Sequence, residues 1–243
     1  MKRVLYAVLQ ILVAQIIMGC EKQNLIVEKQ HEPMIIAHRG YWNREGGHQN
    51  HLESYIAAIE AGFAGAETDV RQTQDGVSVL SHDEFFDGKK ISQSNYSDLI
   101  GITTLEELLN LVKMVPDFKI VIEIKNADCS KVVELIEKNG VKHSQVTFFS
   151  FSQVYCKQLI AMQKGLNVAY LSGDLSPQEL YESGYSGMAY NYKYYTKGIW
   201  DIGEAKKRGL TVYAWTVNEK KVIQQLKECD YIITDLPITL SGY

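Results

Sequence analysis

What most constrains this chain is the beat of its apolar segments. From Met34 to Thr234, short runs of aliphatic and aromatic residues alternate with stretches whose apolar residues recur at helical spacing. The runs at 34–37, 65–70, 120–124, 146–150, 167–171, 187–191, 211–215 and 231–234 predict eight strands. A helix is predicted after each of the first seven. Over 52–61, Leu52, Tyr55, Ile56 and Ile59 share one face and Gly62 ends the helix. The next opens at Thr103 or Thr104, whose hydroxyl can cap the first turn, with Glu106-Glu107 following. Further helices are predicted over 130–138, 152–163, 177–182, 199–207 and 219–227, with Gly140 and Gly209 as stops. Gln74-Asp75-Gly76 marks a turn that leads back through 77–80 as a hairpin arm, and 83–103 reads as an inserted polar loop.

Strand–helix alternation of this kind requires parallel strands. Eight such units close most economically into a (β/α)8 barrel, the TIM-barrel architecture, here with a short insertion after strand 2. An open doubly wound sheet is the alternative, and the lack of a Gly-rich phosphate loop weighs against it.

The chain begins differently. Lys2 and Arg3 precede an apolar run, 4–18, that is shorter than the ~20 residues of a comfortable membrane span and ends Gly19-Cys20. This layout predicts a lipoprotein signal peptide over 1–19, lipidation of Cys20, a tether over 20–33 and a catalytic domain over 34–243. A plain signal or an uncleaved anchor is the other reading of the same run. On the first reading the protein is exported and lipid-anchored to a bacterial membrane, in the periplasm or at the cell surface. Cleavage would leave 23 basic residues against 29 acidic, which argues against a nucleic-acid partner. Cys129, Cys156 and Cys229 are odd in number without metal-ligand spacing, and are expected as buried small side chains.

In such barrels the reactive groups lie at the C-terminal ends of the strands. Those ends carry His38-Arg39, Glu67 with Asp69, His82-Asp83, Glu123 with Lys125, Trp215 and Thr234-Asp235. Glu67 and Asp69 stand two apart on one strand and so share a face. Together with Glu123 they would repel one another if dry and unpaired. Either one hard divalent ion, Mg²⁺ or Ca²⁺, or pairing with Arg39, Arg71 and Lys125 would resolve that conflict. His38 and His82 can exchange protons near neutral pH, and Arg39 and Lys125 can hold a phosphate. Trp215 is expected as a pocket wall or as inward packing. The Tyr190, Tyr192, Tyr194 and Tyr195 group is expected chiefly as packing at the barrel mouth.

Taken together, the segments His38-Arg39-Gly40, 65–70 (Gly-Ala-Glu-Thr-Asp-Val), 73–76 leading to Ser81-His82-Asp83, Glu123-Ile124-Lys125, 214–218 (Ala-Trp-Thr-Val-Asn) and 234–237 (Thr-Asp-Leu-Pro) resemble the glycerophosphodiester phosphodiesterase family. The resemblance spans His38 to Pro237. It implies a barrel in which Glu67, Asp69 and Glu123 hold a divalent metal, His38 and His82 form the acid–base pair, and Arg39 and Lys125 contact phosphate. It also implies a small-molecule glycerophosphodiester substrate, attack by a neighbouring glycerol hydroxyl, and a cyclic phosphate that water opens to glycerol 3-phosphate. In place of the Pro-Glu-Asn-Thr found in many members, this chain has His48-Gln49-Asn50-His51. Gln49 and Asn50 are therefore expected to orient a ligand by hydrogen bonds, as possible pocket residues. Two other readings remain at this level: a related barrel phosphodiesterase or phospholipase acting on lipid head groups, and a phosphodiester-binding lipoprotein without turnover.

Overall fold

The structure, a computed structural model, describes residues 31–237. The signal peptide, Cys20 and most of the tether lie outside them. Eight parallel strands close on themselves: β1 (Met34–Ala37), β2 (Gly65–Gln72), β6 (Lys119–Asn126), β7 (Val146–Ser150), β8 (Asn167–Tyr170), β9 (Gly187–Asn191), β10 (Thr211–Trp215) and β11 (Tyr231–Thr234). β1 pairs with β2 on one side and with β11 on the other, which completes the barrel.

Helices α1 (Leu52–Glu60), α2 (Leu105–Val112), α3 (Cys129–Lys138), α4 (Gln153–Ala161), α5 (Pro177–Glu182), α6 (Tyr192–Thr196), α7 (Ile202–Lys207) and α8 (Lys220–Gln225) occupy the connections. The connection after β9 differs from the expected single helix over 199–207. Asn191 caps the short α6, accepting a hydrogen bond from Lys193 N, and α7 starts afresh at the Asp201 cap. On α2 the Thr104 hydroxyl accepts from Glu107 N while the Glu107 carboxylate accepts from Thr104 N, a reciprocal cap worth about 1 kcal/mol.

Strand alternation sorts the side chains into two cores. Outward residues such as Ala66, Val70, Ile120, Ile122 and Ile124 meet the helices. Inward residues Ile36, Val121, Phe149, Ala169, Ala189 and Tyr213 fill the barrel. Tyr213 lies edge-on to Phe149 at 5.0 Å and stacks on Tyr231 at 4.8 Å, packing the interior below the mouth. Gly65 is required where β2 runs between β1 and β6, because a Cβ there would lie 2.3 Å from the Lys119 carbonyl oxygen.

The insertion is more structured than its polar sequence suggests. After β3 (Ser78–Leu80), which runs antiparallel to β2, the chain forms a small hairpin from β4 (Phe85–Phe86) and β5 (Lys89–Lys90). Two 3₁₀ turns follow, Ile91–Gln93 and Tyr96–Asp98. Ile91, Leu99 and Ile102 pack with Val79 into a separate buried cluster. These apolar residues recur at neither helical nor strand spacing, so periodicity does not announce them.

Candidate active site

Inside the mouth, register sets the acids. Asp69 of β2 lies directly opposite Glu123 of β6, and Glu67 sits one interior step deeper. All three are buried, and one carboxylate oxygen from each lies within 4.8 Å of the others. Two cations reach them. Lys125 Nζ is 2.8 Å from Glu123 Oε1 and 3.4 Å from Asp69 Oδ1. Arg39 Nε stands 3.3 Å from Asp69 Oδ2 but has no aligned hydrogen-bond acceptor, although it is buried. The third base weighed from sequence, Arg71, points elsewhere and donates to the His82 carbonyl.

Two cations against three carboxylates leave the cluster under-neutralised. Burial, followed by repulsion from Asp69 and Glu123, pushes the Glu67 carboxyl well above the usual carboxylate range. Burial likewise raises Glu123 to about 7, against the pull of Lys125 and with Asp69 adding to the rise. An all-oxygen donor set with unmet negative charge fits a hard divalent cation.

The turn after β1 positions the next groups. Arg39 adopts φ 58°, and its backbone N–H donates to Glu67 Oε2 at 3.0 Å. This turn aims His38 inward, with Nε2 4.0 Å from Glu67 Oε2 and Nδ1 2.8 Å from Asp235 Oδ1. His82, in the loop after β3, is more exposed, and its Nδ1 lies 2.8 Å from Asp83 Oδ1. His38, Arg39, Glu67, His82, Glu123 and Lys125 line one cavity of about 140 Å³. Its other wall is apolar, built from Phe149, Phe151, Leu171, Trp215 and Ile233.

Trp215 serves both expected uses, since it faces the cavity while its Nε1 donates to the Ala189 carbonyl at 2.6 Å. Phe151, half exposed, meets it edge-on at 5.5 Å, with Lys125 Nζ 5.7 Å from the Phe151 ring centre. Sequence reading passed over Phe151, whose only signal was its place just past the end of β7. The tyrosines chiefly pack: Tyr190 and Tyr195 are buried, and the Tyr195 hydroxyl donates to the Tyr213 carbonyl.

Gln49 and Asn50 depart from expectation. Neither lines the cavity. Gln49 Oε1 accepts from Arg39 Nη1 at 2.7 Å. Asn50 is buried in the left-handed region, φ 57°, beneath Asp69. Its amide donates to Asp69 Oδ2 at 2.8 Å, and its Oδ1 accepts from Asp69 N, Tyr55 and Thr68. Asn50 thus holds Asp69 in place from below.

The sequence profile described as the glycerophosphoryl diester phosphodiesterase family matches residues 38–239. This chain belongs to that family. A glycerophosphodiester phosphodiesterase from Parabacteroides distasonis is 31% identical, with a TM-score of 0.81 over 88% of this chain and 97% of that one. A glycerophosphodiester phosphodiesterase from Caldanaerobacter subterraneus is 26% identical over 85% of this chain and 96% of its own length. A phosphodiesterase from Oleispira antarctica, solved in complex with the product sn-glycerol-3-phosphate, shares the fold at 19% identity, with a TM-score of 0.73 over 87% of this chain and 96% of that one.

Proposed function

We propose that this phosphodiesterase hydrolyses glycerophosphodiesters to glycerol 3-phosphate and an alcohol, using one divalent metal ion and two imidazoles. The observation that carries the reading is the buried triad of Glu67, Asp69 and Glu123, of which Glu67 and Glu123 line one cavity with His38, His82, Arg39 and Lys125.

Glu67, Asp69 and Glu123 would hold the ion, and their hard oxygen donors favour Mg²⁺ or Ca²⁺. When bound, the ion supplies Lewis-acid neutralisation of phosphate charge. With the acids satisfied in that way, Arg39 and Lys125 are available to phosphate oxygens. One imidazole accepts the proton of the attacking hydroxyl, and the other donates a proton to the oxygen of the departing alcohol. The phosphorus–oxygen bond to the alcohol breaks, and one water is added overall. The apolar wall from Phe149 to Trp215 gives the organic part of the diester a dry surface. The product named for the Oleispira antarctica relative supports glycerol 3-phosphate as the common product.

The test is product analysis on a panel of glycerophosphodiesters and intact phospholipids. Release of glycerol 3-phosphate from the first group supports the reading, whereas turnover of the phospholipids alone would replace it with a lipase-type activity. His38→Ala and His82→Ala should each abolish release while leaving the fold intact, and activity retained in both would remove the acid–base assignment.

The same proposal places the enzyme outside the cytoplasm, lipid-anchored through Cys20, on the strength of the 1–20 sequence. Cys20→Ala should release it from the membrane fraction, and a variant that stays membrane-bound would contradict the anchor.

A further inference from the structure

Asp235 closes the chain's path around the barrel, 197 residues from His38, and the two side chains meet only because β11 pairs with β1. Around this contact the donors and acceptors have a fixed direction. Trp42 Nε1 can only donate, and it reaches Asp235 Oδ1 at 3.2 Å. The backbone N–H of Asp235 can only donate, and it reaches Asn218 Oδ1 at 2.9 Å. The Thr234 hydroxyl reaches the same oxygen at 3.2 Å. With its oxygen so engaged, Asn218 turns its NH₂ toward Asp235 Oδ2, at 2.7 Å.

Both Asp235 oxygens are therefore acceptors. Burial opposes ionisation of this carboxyl, but the hydrogen bonds from His38, Asn218 and Trp42 outweigh it and hold the group below the usual range. A bare Nδ1 would set its lone pair against the carboxylate at 2.8 Å, so Nδ1 carries the proton. In the neutral imidazole Nε2 is then the bare nitrogen, and it faces Glu67 and the cavity. His82 has a different setting, since its partner Asp83 is the adjacent residue and is exposed.

We infer that Asp235, itself held by Trp42 and Asn218, is a positioning residue that locks His38 in the Nδ1–H tautomer and so presents Nε2 as the proton acceptor of the site. The catalytic use of that acceptor rests on the function proposed above, while the tautomer does not.

Asp235→Asn tests the arrangement at nearly constant shape. A carboxamide has one oxygen for two sets of donors, so its NH₂ must oppose either the Asn218 NH₂ or the side of His38 and Trp42. The second orientation favours the opposite tautomer. The experiment is two-bond ¹H–¹⁵N correlation of the histidine side chains in the Mg²⁺-containing protein, with His38 assigned by its disappearance in His38→Gln, combined with steady-state kinetics of the parent, Asp235→Asn and Asp235→Glu. The expected results are a protonated Nδ1 in the parent and a displaced pattern in Asp235→Asn. They also include a kcat lowered about 100-fold or more at nearly constant KM, as for loss of a positioned acid–base group, and partial recovery in Asp235→Glu. A protonated Nε2 with bare Nδ1 in the parent overturns the inference whatever the activity. Equal loss in KM and in Mg²⁺ binding, with the His38 pattern unchanged, also overturns it in favour of a merely structural role. A parent that has the expected tautomer but cleaves no glycerophosphodiester supports the positioning network and defeats only the proposed substrate.

Discussion

Replacing Asn50 with Ala should injure both stability and metal affinity, although Asn50 does not line the active-site cavity. In the parent its Oδ1 accepts from Asp69 N at 3.1 Å, from Thr68 Oγ1 at 3.1 Å and from the Tyr55 hydroxyl at 2.9 Å. The single Tyr55 hydroxyl proton can turn to Thr68 Oγ1, 2.7 Å away, so Tyr55 keeps an acceptor. The Asp69 N–H and the Thr68 hydroxyl do not, and orphaned buried donors cost roughly 1–3 kcal/mol each. Alanine at φ 57° adds about 1 kcal/mol of backbone strain that Asn tolerates better. The expected destabilisation is thus about 5 kcal/mol, or a Tm lower by roughly 10–20 °C for a domain of this size. Asn50→Gly should recover about 1 kcal/mol of this, because Gly accepts the left-handed conformation while still lacking the hydrogen bonds. Asp69 also loses the donor that orients Oδ2, so Mg²⁺ or Ca²⁺ affinity should fall about 10–100-fold. Thermal unfolding by circular dichroism and metal titration by calorimetry read the two effects. An Ala variant within 1 kcal/mol of the parent and with unchanged affinity would refute the role assigned to Asn50.

Metal-free protein should lose stability as pH rises through the window from 4.5 to about 7, because folded Glu123 binds a proton more tightly than the unfolded chain does. Glu67 acts in the same direction, and Glu123 alone accounts for at most about 3 kcal/mol. Stabilisation by added Mg²⁺ or Ca²⁺ should accordingly be larger at pH 8 than at pH 5, and a shift independent of pH would contradict the buried-acid account. Gly65→Ala should cost at least 1–3 kcal/mol, since its Cβ collides with the β6 backbone at Lys119. An unchanged Tm would mean that β2 and β6 are less tightly seated than described.

Much of the fold was legible because each barrel strand is buried on both faces and so reads as an apolar run with polar residues at its end. The acids were legible for the same reason, as Glu67, Asp69 and Glu123 interrupt otherwise apolar interior positions. Asn50 was misplaced because its direction depends on a left-handed turn that sequence spacing does not reveal. Asp235 stood among the strand-end residues without a role, since its partner lies 197 residues away and only barrel closure brings them together. The buried side of the insertion was hidden because Ile91 opens one 3₁₀ turn and Leu99 and Ile102 come after another, with no regular period.

The most direct test of the central claim is glycerol 3-phosphate release by protein stripped with EDTA and then titrated with Mg²⁺ or Ca²⁺, run beside Glu67→Gln. Activity should vanish on stripping and return with metal, and Glu67→Gln should need a much higher metal concentration or fail to recover. Full turnover in EDTA, or a Glu67→Gln titration that overlays the parent, would contradict a metal held by Glu67, Asp69 and Glu123.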